Sequence, residues 1–345
     1  MESVRPKLSP ILIIALIFIA QSAIGSSEPS EKPVKVIHFI NGAKGDGSFF
    51  DSAVRGIAKA ESDFEINVTT IEAGYNSSTW KKALEEAAAD EDYDVLIAGT
   101  AQMQDLLSEV AEKYPDKRFI IYDSSVDYTE GNYSNVYSVL FRQNEGSYLA
   151  GVYAGLMTKS GTIGILGGQN STTINDFVVG YEQGAKSVRP DVEILVEYAE
   201  TWNDPALGET IATEMYDEGA DIVFQAAGTT GLGVFKAAQE SGKYAIGVDS
   251  DQALIIEKIA PIIAEHILTS MMKNVDLSLY RALELYVEGE LPFGQAETLG
   301  IEDGGVGLAR NRYYEEATPE EVKAAINQTE EDIKDGRITV DTAFK

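Results

Sequence analysis

Beyond residue 33 the chain alternates short Val- and Ile-rich runs with longer stretches of helical period, and it goes through the alternation twice. The runs VKVIHFI, FEINVTTIEA, DVLIAGT, FIIYDSS and VYSVLF are followed by GTIGILGG, VEILVEYAE, DIVFQAAGTT and YAIGVDSD, with helix candidates such as STWKKALEEAAAD between them. Apolar strands that each lead into a helix predict parallel sheets of α/β type. The second half repeats the order of the first. HFINGAKGDGSFFDSAVRGIAKA is echoed by GILGGQNSTTINDFVVGYEQGAK: a strand, a glycine turn, then an aromatic leading a helix. YDVLIAGTAQ is echoed by ADIVFQAAGTTG, and FIIYDSS by YAIGVDSD. Gly99 to Asp123 is a step of 24 residues and Gly228 to Asp249 a step of 21. Two similar α/β lobes follow from this.

The first 25 residues belong to neither lobe. Arg5 and Lys7 precede the apolar ILIIALIFIA, and the small residues Ala23 and Gly25 follow, which is the pattern of a secretory leader cut after Gly25. Residues 26–33 read as a polar linker. The apolar stretch is short for a membrane span of roughly 20 residues. Export is therefore expected, with the mature chain at the outer face of the cell membrane, either peripheral or anchored. Five N-x-S/T sequons, starting at Asn67, Asn76, Asn132, Asn170 and Asn327, fit such a location.

With 56 acidic against 27 basic residues the formal charge is −29, a surface that repels nucleic acid and anionic lipid. The 345 residues contain no cysteine, which excludes disulfides, thiolate catalysis and attachment of lipid through an N-terminal Cys. The two histidines, His38 and His266, sit in apolar runs and read as core or edge residues rather than metal ligands.

In open parallel sheets, ligands bind beyond the carboxyl ends of the strands, so the residues just after each strand are the candidates. In the first lobe these are Asp46, Phe49, Phe50 and Asp51, then Gly99, Thr100, Asp123 and Ser124. In the second they are Gly168 to Asn170, then Tyr198, Trp202, Gly228, Thr229 and Asp249 to Asp251. The turn GAKGDGSFF has no lysine after its second glycine and lacks the G-x-G-x-x-G order, and its Asp46 would repel a phosphate. A neutral ligand with hydroxyls and a flat ring suits these residues better. Carboxylates hold vicinal diols, and aromatic faces such as Phe49 and Trp202 stack on a planar base. Each residue has a structural alternative: Phe49 as packing at a helix start, Asp46 as a cap, and either Asp249 or Asp251 as the cap of the next helix.

GDGSFFDSAVRG, FRQNEGSYLAGVYAGLMTKSGTIGILGG, AAGTTGLGVFKAAQESGKYAIGVDSDQ and ILTSMMKNVD resemble the basic membrane protein (BMP) family, the substrate-binding components of ABC transporters, several of which bind purine nucleosides. The resemblance runs from about Val34 to past Lys273. It implies the α/β type I periplasmic-binding-protein fold, with two Rossmann-like lobes, parallel sheets, three crossovers and a hinged cleft. It further implies that Asp46 and Phe49 are acid and stacking ring, that Asp123 reads the base edge, and that Trp202 is the second stacking ring. By the same resemblance Gly228 allows close backbone approach, Asp249 holds ribose and Lys273 reaches the sugar. Two departures stand out: Phe50 where the family usually shows Asn, and the missing lipoprotein Cys. The expected organisation is lobe one from 34–140 plus about 266–300, and lobe two from 141–265 plus part of the C-terminal segment. Residues 301–345 form a strand and helix packing on the lobes, with Thr318, Pro319 and Glu321 as a capping box.

The expected function is uptake of a nucleoside, of purine type, by a monomeric exported receptor that hands it to permease subunits, with no cofactor and no chemistry. A sensor for another small ligand such as a sugar is the alternative. A nucleoside hydrolase is a further one, in which Asp46, Asp51 and Asp123 would form an acidic metal cluster. No G-x-S-x-G elbow and no His beside a nucleophile supports it.

Overall fold

The computed structural model describes residues 32–344. The leader at 1–25 and most of the linker at 26–33 lie outside the described residues. From Pro33 onward the chain is one compact unit, built on two six-stranded sheets.

The first sheet grows from β1 (Val34–Ile40), α1 (Phe49–Asp63), β2 (Ile66–Glu72), α2 (Ser77–Ala88) and β3 (Val95–Gly99), followed by α3 (Gln104–Lys113), β4 (Arg118–Tyr122) and β5 (Val136–Phe141). The chain then leaves for the second sheet through α4 (Gln143–Met157), β6 (Thr162–Gly167), α5 (Thr172–Val188) and β7 (Glu193–Tyr198). It continues through α6 (Pro205–Asp217), β8 (Ile222–Ala226), α7 (Leu232–Ser241) and β9 (Tyr244–Asp249). Helices α8 (Gln252–Glu257) and α9 (Pro261–Ala264) lead to β10 (Ile267–Lys273). After it come α10 (Val275–Glu288), β11 (Gln295–Leu299), β12 (Val306–Leu308), α11 (Arg312–Ala317) and α12 (Glu320–Lys334).

The strand orders are β11-β5-β4-β3-β1-β2 and β12-β10-β9-β8-β6-β7. Nine of the ten pairings are parallel, and only β12 runs antiparallel, against β10. The central strands are buried along their length, as sheets covered on both faces by helices require. The two sheets have equivalent orders, so the echo in the sequence is an echo in topology. The chain passes between them three times: between β5 and α4, between β10 and α10, and between β11 and β12. Helix α4 packs on α5, and α10 packs on α1. One core cluster continues through α4, β10 and α10 beneath both sheets, so the crossing region is as firmly packed as the lobes.

Two sequence expectations need correction. The segment about 266–300 is not wholly part of the first lobe, because β10 pairs with β9 and completes the second sheet. The link between β9 and β10 is a short helical crossover that stays on its own sheet, the default for consecutive parallel strands. The C-terminal capping box is also not formed. Helix α12 starts at Glu320 with Pro319 as its N-cap and no side-chain cap. The Thr318 hydroxyl is instead hydrogen-bonded to the Tyr153 hydroxyl at 2.9 Å, which ties the helix entry to α4.

Candidate ligand-binding cleft

The carboxyl ends of both sheets face a common cavity of about 240 Å³. That is just below the usual range for small-molecule sites, about 300–1,000 Å³. All seven sequence-derived residues, Asp46, Phe49, Asp123, Trp202, Gly228, Asp249 and Lys273, line it.

The turn between β1 and α1 is wrapped around two carboxylates. Asp46 accepts from the backbone N–H of Ser48 and Asp51 through Oδ1, at 3.0 Å each, and from Phe50 through Oδ2 at 2.8 Å. Asp51 accepts from Gly45 and Gly47 at 2.8 and 2.9 Å. Asp46 therefore acts first as the cap of its own turn while its side chain borders the cavity. Burial raises its carboxyl above the usual range, although the three N–H bonds pull it back. The turn presents Phe49 at the first position of α1. One face of the Phe49 ring stacks on Tyr122, with centroids 5.4 Å apart and planes 29° from parallel. Tyr122 is fully buried and its hydroxyl is 3.2 Å from His38 Nε2. Burial holds that imidazole neutral, its value pushed down to about 3 with the Lys44 ammonium adding to the effect. Phe50 is buried against Gly42, where an added Cβ would lie 2.5 Å from its ring.

Opposite, Trp202 packs against the core cluster with its ring close over the backbone of Gly168. A Cβ on Gly168 would sit 2.2 Å from indole Cζ3, so glycine is required there. Gly228 borders the same ring in a left-handed conformation, φ 57°. It acts as a floor for Trp202 as well as a cavity wall.

The charged cluster spans both lobes. Lys273, at the end of β10, is 2% exposed and donates to Asp123 Oδ1 of the first lobe at 2.6 Å. Its ammonium is ringed by Phe177, Phe49 and Phe141, at 4.9, 5.5 and 5.7 Å from their centroids. Asp249 Oδ2 accepts from the Ser48 hydroxyl across the cleft at 2.6 Å. Asp123 Oδ2 and Asp249 Oδ1 accept nothing from the described residues. Burial pushes the Asp249 carboxyl up to about 6, against the pull of Lys273 and the Ser48 bond, while Asp123 and Asp46 add to the rise. Asp251, the competing cap, serves α8 through Leu254 N–H and is further held by Asn311, which frees Asp249 for the cleft.

Among the described residues, four non-glycines adopt positive φ: Thr100 at 77°, Asp123 at 58°, Glu200 at 53° and Asp249 at 61°. All stand at carboxyl ends of strands, and three line the cavity. Strain of this kind concentrates where backbone geometry serves a site. Further bonds hold the lobes together: Ser250 Oγ donates to Ser48 O, Gln252 Nε2 to Gly47 O and Gln102 Nε2 to Gln169 Oε1.

Phe177, Trp80 and Asn41 are among the lining residues not singled out from the sequence. Phe177 was legible in principle, since NDFVVG stands in the echo where the first lobe has its paired phenylalanines. Trp80 closes one wall, its indole N–H bonded to Gly74 O at 2.7 Å. Asn41 follows β1 as an ordinary polar turn residue, and nothing in the sequence distinguishes it. The proposed acidic metal cluster does not converge, because Asp46 and Asp51 face backbone N–H groups and Asp123 faces Lys273.

Residues 33–339 match the model of the family described as ABC transporter substrate-binding protein PnrA-like (Bmp). The chain is 34% identical over 302 residues to basic membrane protein D of Borreliella burgdorferi, covering 86% of this chain and 85% of that protein. It is 36% identical over 264 residues to the ABC transporter nucleoside-binding protein BmpA of Lactococcus lactis subsp. cremoris, covering 74% and 73%. Among solved structures, a solute-binding protein of an ABC transporter system from Aeropyrum pernix superposes with a TM-score of 0.80 at 24% identity, covering 91% of this chain and 94% of that one.

Proposed function

This chain belongs to the PnrA-like family of ABC transporter substrate-binding proteins, and on that premise we propose that it is an exported receptor for a purine nucleoside. The nucleoside is captured between the lobes outside the cytoplasm and passed to membrane permease subunits. No bond is made or broken in the ligand; capture is closure of the lobes about their crossovers. The receptor acts as a monomer.

The observation that carries this reading is the convergence of two kinds of group on one small cavity. Aromatic faces come from opposite lobes, Phe49 and Trp202, and open carboxylate oxygens come from Asp123 and Asp249. A flat base fits between the rings, and each open carboxylate oxygen accepts ribose hydroxyls. A phosphate does not suit the same place. Asp46, Asp123 and Asp249 surround it, and the cavity's one lysine is already paired with Asp123. The name of the Lactococcus relative, a nucleoside-binding protein, points the same way.

The test is titration of the chain from Ser26 onward with guanosine, adenosine, inosine, uridine, ribose and GMP, by calorimetry and by tryptophan fluorescence. Both tryptophans line the cavity, so fluorescence reports on it directly. Saturable purine nucleoside binding with rejection of GMP is expected. Binding of ribose alone, or of no nucleoside, overturns the reading. Accumulation of free base on prolonged incubation restores the hydrolase.

A further inference from the structure

Asn41 is 3% exposed, lines the cavity, and leaves its Oδ1 without a hydrogen-bond partner. Its amide is oriented by a chain of neighbouring polar groups. Gln102 donates through Nε2 to Gln169 Oε1 across the cleft, at 3.1 Å, which turns Gln102 Oε1 back toward Asn41. Asn41 Nδ2 meets that oxygen at 3.5 Å and Thr100 Oγ1 at 2.9 Å. With the amide nitrogen on that side, the oxygen is left buried and unpaired on a residue that borders the cavity. A buried acceptor in this state is costly until something donates to it. The family resemblance assigns this residue no role, and its neighbour Phe50 removes a polar side chain from the same wall.

We infer that Asn41 is a specificity-determining residue: its Oδ1 accepts from an N–H on the ring of the ligand. The inference rests on the nucleoside reading above. The division of labour follows from charge. Asp123 and Asp249 offer ionisable oxygens suited to hydroxyl pairs, whereas Asn41 is a neutral acceptor suited to an amino or lactam N–H. The cleft then selects bases that carry such a donor over bases whose edges hold only acceptor nitrogens. The Asn41–Gln102–Gln169 chain carries the same contact to the opposite lobe, so the donor is read in the closed form.

The experiment compares adenosine and inosine, which carry ring-edge donors, with purine riboside, which carries none, on the full mature chain. The wild type should bind purine riboside about tenfold more weakly than the better of the other two. In Asn41→Leu that preference should shrink to within about twofold, while in Asn41→Asp, which keeps an acceptor, it should persist. The 2′-deoxynucleosides separate the ring from the sugar. If Asn41→Leu keeps the ring preference, or instead erases the preference for the 2′-hydroxyl, the assignment is overturned. Circular dichroism and Tm of both variants show whether either has simply failed to fold, and if Asn41→Leu has, Asn41→Ser replaces it as the shortened side chain. Failure of the wild type to bind any nucleoside would overturn the nucleoside reading itself, and that is measured first.

Discussion

Trp202 packs against the core cluster and lies close over the backbone of Gly168 and the left-handed Gly228. Its position is therefore set by the absence of a methyl group. Gly168→Ala introduces a carbon 2.2 Å from the indole, so either ring or backbone must move. The expected result is a loss of stability of about 1–3 kcal/mol, read as a fall in Tm, together with weaker nucleoside binding. Trp202→Phe keeps a stacking face and should retain affinity within about threefold. Trp202→Ala removes a contact worth about 1–3 kcal/mol per base and should weaken binding roughly tenfold or more. Equal affinities for the Ala and Phe variants would mean that this ring does not stack on the ligand. At this scale the sequence was legible where chemistry and position coincide. Aromatic and acidic residues after strands could be named: Asp46, Phe49, Phe50, Asp123, Trp202 and Asp249 border the cavity, whereas Asp51, Tyr198 and Asp251 do not. What it left open was the direction in which a side chain is used. Asp46 sits at the cavity yet accepts three backbone N–H bonds, and Asn41 looks like any turn residue until its amide geometry is known.

At the scale of elements, the strand–helix alternation was readable because the central strands are buried on both faces, and periodicity records burial directly. The exact entry to α12 and the sheet that β10 joins were less readable. The first depends on a contact distant in sequence, Thr318 with Tyr153, whereas β10 pairs with β9, the strand immediately before it. Strand ends also decide the electrostatics. The end of β9 buries Asp249 between Ser48, Lys273, Asp123 and Asp46, and its carboxyl is pushed from 3.8 to about 6. A native value above the unfolded one means that the native state binds the proton more tightly. The ionised group thus weakens the fold above pH 6, and the penalty fades as pH falls toward 4. Asp249→Asn should accordingly raise stability at pH 7.5, by up to about 3 kcal/mol, and confer no advantage near pH 4. Ligand affinity should move the other way. If the ionised carboxylate accepts ribose hydroxyls, wild-type affinity declines as pH falls through 6, and the Asn variant binds weakly with a flatter profile. Paired urea melts and calorimetry at pH 4, 5, 6 and 7.5 separate the two effects. A wild-type affinity constant from pH 7.5 to 5 would remove Asp249 from the ligand contacts.

For the molecule as a whole, the question is what holds two similar lobes against each other when the chain carries a charge of −29. Beneath the sheets one apolar core is shared; across the cleft the contacts are polar, among them the buried pair Lys273–Asp123. Removing one partner of such a pair leaves a charge in an apolar cage, a change that costs about 3–5 kcal/mol in comparable buried pairs. Asp123→Asn suits this purpose, because Asn tolerates the positive φ of 58° at that position. The variant should lower Tm and loosen the closed form, since the Lys273 ammonium would then seek water by parting the lobes. Closure itself can be read chemically because the chain has no cysteine of its own. With Gln102 and Gln169 both replaced by Cys, one thiol stands on each side of the cleft, where the wild-type amides meet at 3.1 Å. A short bifunctional thiol cross-linker, which spans the length lost when Gln becomes Cys, should bridge the two sites severalfold faster with nucleoside present than without, because ligand shifts the population toward the form in which they meet. Adding Asp123→Asn to the pair should slow the bridging without ligand and enlarge the acceleration by ligand. If the rate is the same with and without nucleoside in both backgrounds, the lobes do not close on their ligand, and the cavity fills by another route.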